Sequence, residues 1–256
     1  VVYSIGDERR QEWHAELLDF SFQKVHQPGT LIRLVSGDHW SDERRVPVSA
    51  IGHTLVTPLF HPELRWPVAN KVGALQYLFE ALSEEHKLRN RNATILFLDP
   101  DMIFAHAWNP SQLVKKGEIL GQRWFGYGKH YCLNSSILGE WCPEDDEPCF
   151  MYPFAMTLGD IEKLAPGIAQ QAMSGYQKCG DWMTDMTAFV TAAAMEGLRV
   201  STLDGLGLCN TWENRDDESA PILHYCQAIK DSSGVEILNK NSYTAWQPVP
   251  DPALST

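Results

Sequence analysis

A chain of 256 residues has room for one large hydrophobic core, or at most for two small domains. Its formal net charge is −12, its isoelectric point is near 5.1, and no Lys/Arg cluster is longer than two residues. That balance argues against a nucleic-acid partner, which needs a basic surface, and no apolar run reaches the length of a membrane span, about 20 residues.

Val1–Ile5 reads as a first strand, turned by Gly6-Asp7. From Glu12 to His26, Trp13, Leu17, Leu18 and Phe22 recur at helical spacing. Pro28-Gly29 punctuates, and Thr30–Val35 reads as a second strand carrying one cation, Arg33. A strand–helix–strand opening argues for a parallel α/β sheet. Two roles are open for Arg33, a salt-bridged structural one and a contact to a donor phosphate. Residues 36–66 are rich in Pro and His; Val46-Pro47-Val48 and Thr54–Thr57 suit short extended pieces, and His39, His53 and His61 match no metal spacing. Pro67 is placed to open a helix whose stripe is Val68, Val72, Leu75, Phe79 and Leu82. Lys71 lies near its start, where a lysine either faces solvent or approaches a diphosphate. The charged stretch Glu84–Asn92 ends that helix.

Ile95-Leu96-Phe97-Leu98 reads as a buried strand, and Asp99-Pro100-Asp101 arrives where it must stop. Proline cannot donate to a sheet ladder. Two carboxylates two residues apart on extended backbone fall on one side of the chain. At the carboxyl end of an α/β strand, where ligands bind, they suit a hard divalent cation and, through it, a diphosphate. The alternative is an ordinary Asp/Pro surface turn.

Ile119–Gln122 reads as extended, and the glycine-rich aromatic run Trp124–Tyr131 lacks the dinucleotide fingerprint. Cys149–Met156 is expected to return to the sheet, and Gly159–Gln177 to be a helix interrupted at Pro166-Gly167. Gly180–Met186 opens a further helix, with Asp181 as a candidate N-cap and Asp185 one turn inside. Ile222–Cys226 is strand-like with His224 embedded, either a satisfied core histidine or a ligand for a metal such as manganese. Residues 1–230 are expected to form a single domain, with 231–256 a tail over its surface. Val1, lacking an initiator methionine, is expected to begin an excised catalytic domain, so its sequence leaves an anchor on a longer protein open.

The six cysteines, Cys132, Cys142, Cys149, Cys179, Cys209 and Cys226, form no zinc-type pair. Two or three disulfides are expected, with three of the cysteines stapling a loop at 132–149. Asn92-Ala93-Thr94 and Asn134-Ser135-Ser136 match the glycosylation acceptor pattern. Both features lean toward a secretory lumen.

Taken in order, Gln27-Pro28-Gly29-x-x-x-Arg33-Leu34, Trp66-Pro67-x-x-Asn70-Lys71, Leu98-Asp99-x-Asp101-Met102-Ile103, Trp182-x-x-Asp185-Met186 and Leu223-His224-Tyr225 carry a resemblance over roughly residues 1–229. The chain resembles the plant and green-algal peptidyl glycosyltransferases of hydroxyproline-rich glycoproteins, namely peptidyl-serine α-galactosyltransferases and hydroxyproline O-arabinosyltransferases. Membership implies a GT-A-type fold, an ER or Golgi lumen, a UDP-sugar donor, a peptide or glycoprotein acceptor and Mn²⁺. It implies Asp99, Asp101 and His224 at the metal, Lys71 or Arg33 on the donor phosphates, and Asp185, or Asp181, near the anomeric carbon or acceptor hydroxyl. These relatives often carry glutamate where Asp185 stands, and the three-cysteine loop has no counterpart among them. Retaining transfer of galactose or arabinofuranose to serine or hydroxyproline would follow. The competing readings are a metal-dependent phosphoester or nucleotide-sugar hydrolase and a non-catalytic sugar- or peptide-binding module. A glycosidase is disfavoured because its carboxylates must flank the scissile bond.

Overall fold

The computed structural model describes residues 1–6, 9–37, 46–60, 68–124, 149–179, 184–203, 205–209, 220–225, 229–230 and 235–238. The chain is an α/β protein built on a seven-stranded mixed sheet in the order β3-β2-β1-β4-β7-β6-β8. Its strands are β1 (Val2–Ile5), β2 (Ile32–Ser36), β3 (His53–Thr57), β4 (Thr94–Leu98), β6 (Glu118–Trp124), β7 (Cys149–Thr157) and β8 (Arg199–Leu203). β1 lies between β2 and β4 and is parallel to both, and β3 continues parallel on β2. Only β7 runs against the rest, between β4 and β6. The sheet is therefore mostly parallel, as the strand–helix–strand opening predicts. A second sheet joins β5 (Met102–Phe104), β10 (Ile222–His224) and β9 (Gly207–Cys209).

Five α-helices cover the sheet among the described residues: α1 (Arg9–Lys24), α2 (Val68–Ala81), α3 (Glu84–Arg89), α4 (Leu158–Cys179) and α5 (Thr184–Met195). None is long and apolar enough to cross a membrane. The buried face of α1 is Ala15, Leu18 and Phe22, with Phe22 meeting Phe104 edge to face at 5.9 Å. α2 buries Ala69, Val72, Gly73, Ala74, Leu75, Leu78 and Phe79, a wider band than the stripe its spacing predicts. Behind it, Tyr152, Phe154 and Phe189 pack ring on ring, with centroids 4.4 and 4.8 Å apart.

Three expectations change. The charged stretch expected only to end α2 contains the separate helix α3, because the Ser83 side chain accepts from the His86 amide and caps it. Val46–Val48 forms no strand, and β3 alone follows β2. Pro166 and Gly167 do not interrupt α4, which runs unbroken over 22 residues. A proline inside a helix forfeits one hydrogen bond, at about 3 kcal/mol. Leu164, Ala165, Ile168, Ala169 and Ala172 are all buried around it, and several buried apolar side chains at about 1.5–3 kcal/mol each outweigh that loss. Of the six cysteines from which two or three disulfides are expected, Cys132, Cys142 and Cys226 lie outside the described residues. β11 (Ile229–Lys230) and β12 (Glu236–Leu238) pair as a small ribbon, and residues 239–256 of the expected tail lie outside the described residues.

Gly73 fixes how α2 seats. A Cβ built there would stand 2.3 Å from Cγ of Phe60, whose amide donates to Asn70 Oδ1 at 2.8 Å. Alanine gains about 1 kcal/mol over glycine in helix propensity, but an overpacked contact costs about 1–3 kcal/mol. Gly73→Ala is therefore expected to lower the urea midpoint; a raised midpoint would show that the Phe60 loop moves aside freely.

Candidate metal centre

The strand order places the site. From β1 the sheet grows one way through β2 and β3 and the other way through β4, so a crevice opens where the order reverses, outside the carboxyl ends. β4 ends there at Leu98, and Asp99 is the next residue. The Met102 amide donates to the Asp99 carbonyl at 3.1 Å, closing the turn through Pro100. β5 then starts and pairs antiparallel with β10, setting Met102 opposite His224. The Tyr225 amide donates to the Asp101 carbonyl at 3.1 Å and extends the clasp by one residue.

This ladder brings a distant histidine onto the acidic turn. His224 Nε2 lies 3.2 Å from Asp101 Oδ1, and both side chains are buried. One ligand atom each from Asp99, Asp101 and His224 fall within 4.8 Å of one another, so the three could hold a metal ion. Two carboxylate oxygens and an imidazole nitrogen suit manganese, iron or zinc better than calcium, which takes oxygen ligands alone.

On the other side of Asp99 stands Lys71. Its Nζ donates to Asp99 Oδ1 at 2.5 Å and to Asp185 Oδ2 at 2.7 Å, and sits 4.4 Å from the Tyr152 ring centroid. Asp185 lies in the first turn of α5 and is buried. Burial raises its pKa above the ordinary carboxylate value, against the opposing pull of Lys71. Burial also works to discharge Lys71, yet Asp185 and Asp99 outweigh it and hold that pKa well above the usual lysine value. Of the three carboxylates, Asp99 and Asp185 share one lysine ammonium and Asp101 faces His224. The surplus is negative and largely buried, which favours a divalent cation on Asp99, Asp101 and His224.

Arg33 is elsewhere. Along β2 its side chain falls on the α1 side, where Nε donates to the Tyr3 hydroxyl at 2.6 Å and one Nη to Asp19 at 2.7 Å and Glu16 at 3.0 Å. Its other Nη donates to the Pro47 carbonyl at 2.8 Å. Lys71 and Leu75 instead line a space with Val2, Tyr3, Ser4, Leu34 and Phe97, and Arg33 is not among its lining residues. Of the two roles open to it, the salt-bridged one matches its surroundings: the guanidinium is fully buried and engaged on every nitrogen. Asp181 lies outside the described residues.

No protein-family model matches this chain, and no curated protein does.

Two residues escape sequence reasoning. Tyr152 supplies the ring beneath Lys71, and burial, helped by Asp185 and Asp99 against the opposing pull of Lys71, pushes its pKa well up. Tyr225 stacks near Trp13 with centroids 5.8 Å apart, and burial and the adjacent Asp101 raise its pKa. The available signal was a tyrosine inside each of two apolar strands, Cys149–Met156 and Ile222–Cys226, where a phenolic hydroxyl needs a polar neighbour.

Proposed function

We propose that this chain is a retaining, metal-dependent glycosyltransferase of GT-A type, moving galactose or arabinofuranose from a UDP-sugar to a serine or hydroxyproline hydroxyl in a secretory lumen. The observation that carries the reading is the buried Asp99–Asp101–His224 group at the carboxyl end of β4, beside the reversal of strand order. Asp99, Asp101 and His224 would hold Mn²⁺, which when bound supplies a Lewis acid for the charge that develops on the leaving diphosphate. Asp101 and His224 are pinned by the β5–β10 ladder and the Tyr225 amide, so they enter the reaction already oriented. Asp185 reaches the site through Lys71 and is assigned to orientation near the transferred sugar or the acceptor hydroxyl. It is not assigned as a nucleophile, because a same-face transfer without a covalent intermediate requires none.

The test is turnover of UDP-galactose, UDP-arabinofuranose, UDP-glucose and UDP-xylose with and without Mn²⁺, in the presence of serine and hydroxyproline peptides. Metal-dependent transfer from one donor to peptide is expected. Donor cleavage that no acceptor accelerates would favour the hydrolase reading. Absence of both turnover and nucleotide binding would overturn the enzyme assignment in favour of a binding module.

A further inference from the structure

Lys71 stands out as a charged group that the proposed reaction leaves without a task. Its ammonium has three N–H donors, and two are committed to carboxylates, Asp99 at 2.5 Å and Asp185 at 2.7 Å. The Tyr152 ring covers a further side at 4.4 Å. The lysine side chain is 23% exposed, against 14% for Asp99 and 3% for Asp185. An ammonium enclosed in this way has little reach left for a diphosphate. Asp99, on the other hand, is shared: one of its oxygens already takes Lys71, while the residue also belongs to the candidate cation site.

We propose that Lys71 is an internal counter-ion coupling cation occupancy at Asp99 to the placement of Asp185, and not a clamp on donor phosphate. The inference rests on the reading that Asp99, Asp101 and His224 hold a divalent cation. Lys71 and a cation compete for the negative charge of Asp99, since two positive charges within a few ångströms repel strongly where water is scarce. A cation arriving at Asp99 weakens the Lys71–Asp99 pair and leaves the ammonium to Asp185. Asp185 is buried, so a full countercharge at that moment is what keeps its carboxylate in place. Lys71 is accordingly a positioning residue, acting on the site through Asp99 and on the sugar or acceptor side through Asp185.

The experiment is Mn²⁺ binding followed by electron paramagnetic resonance of the free ion, with no nucleotide present. Wild type, Lys71→Met, Lys71→Arg, Asp185→Asn and the Lys71→Met/Asp185→Asn double variant are compared. Lys71→Met removes the competing charge and should bind Mn²⁺ about tenfold tighter, while Lys71→Arg, which keeps the charge, should stay within about threefold of wild type. Asp185→Asn leaves Lys71 to Asp99 alone and should weaken binding by about fivefold, and the effects of the two single changes should not add. Should Lys71→Met fail to fold with Asp185 left unpaired, the double variant removes both charges and is expected to bind more tightly than Asp185→Asn alone. Unchanged Mn²⁺ affinity in the folded lysine variants would overturn the inference, and a loss of UDP affinity in a separate calorimetric titration would then make Lys71 a phosphate contact. Failure of the wild type to bind Mn²⁺ would instead remove the cation reading and this inference with it.

Discussion

Asp101→Ala is expected to lower metal-dependent turnover by about a thousandfold while leaving the fold intact. Loss of a metal ligand removes several kcal/mol of charge stabilisation, and each 1.4 kcal/mol is about tenfold in rate. The fold should survive because the contact that Asp101 makes with its main chain, the carbonyl accepting from the Tyr225 amide, does not depend on the side chain. What goes is the oxygen 3.2 Å from His224 Nε2 and one of three ligand groups. Turnover is measured against Mn²⁺ concentration alongside circular dichroism. A variant with wild-type ellipticity and near-full rate would sink the metal assignment, and a rate restored by excess Mn²⁺ would show that the loss lies in ion affinity.

Arg33→Met should act on stability where Asp101→Ala acts on rate. The guanidinium is fully buried, and its removal leaves the Asp19 carboxylate without its cation and the Tyr3 hydroxyl without one partner. Breaking a buried ion pair by deleting one member costs about 3–5 kcal/mol, which for a domain of this size lowers the melting temperature by about 6–20 °C. Glu16 adds little to that figure, since its side chain is 61% exposed and water screens it. Differential scanning fluorimetry checks the prediction. A melting temperature within 2–3 °C (about 1 kcal/mol) of wild type, together with weakened UDP binding, would return Arg33 to the donor phosphates.

These two arginine and aspartate positions also mark where a sequence can be read and where it cannot. Asp99 and Asp101 are legible because their chemistry is local: an apolar strand, a proline and two carboxylates at a spacing of two. The parallel sheet is legible for the same reason, through strand–helix–strand periodicity. Arg33 is not, because its partners Glu16 and Asp19 sit on α1, a helix whose rotation depends on tertiary packing. Lys71 meets Asp185 across 114 residues, a pairing that no spacing rule encodes. Pro166 misleads in the opposite direction: its local preference is read correctly, and burial of α4 overrides it. α3 is a milder case, since the cap at Ser83 with Glu84 and Glu85 in the first turn is a signature available to sequence reading and passed over.

The short ladder between β5 and β10 has a consequence for how the centre is built over time. It joins Met102 to His224 and Phe104 to Ile222, so the histidine must cross more than a hundred residues of chain before it meets the acidic turn. Closing a loop of that length is entropically expensive, though each doubling adds only about 0.6 kcal/mol, and three facing residue pairs repay little of it on their own. Contacts of such long range form late in folding. An ion bridging Asp101 and His224 would act as a removable staple on the whole intervening segment, and by mass action it would stabilise the closed chain by about 2.7 kcal/mol at a concentration 100 times its dissociation constant. The acidic turn and the histidine strand would then open together when the ion is withdrawn, so chelation should speed amide hydrogen exchange in β5 and β10 together.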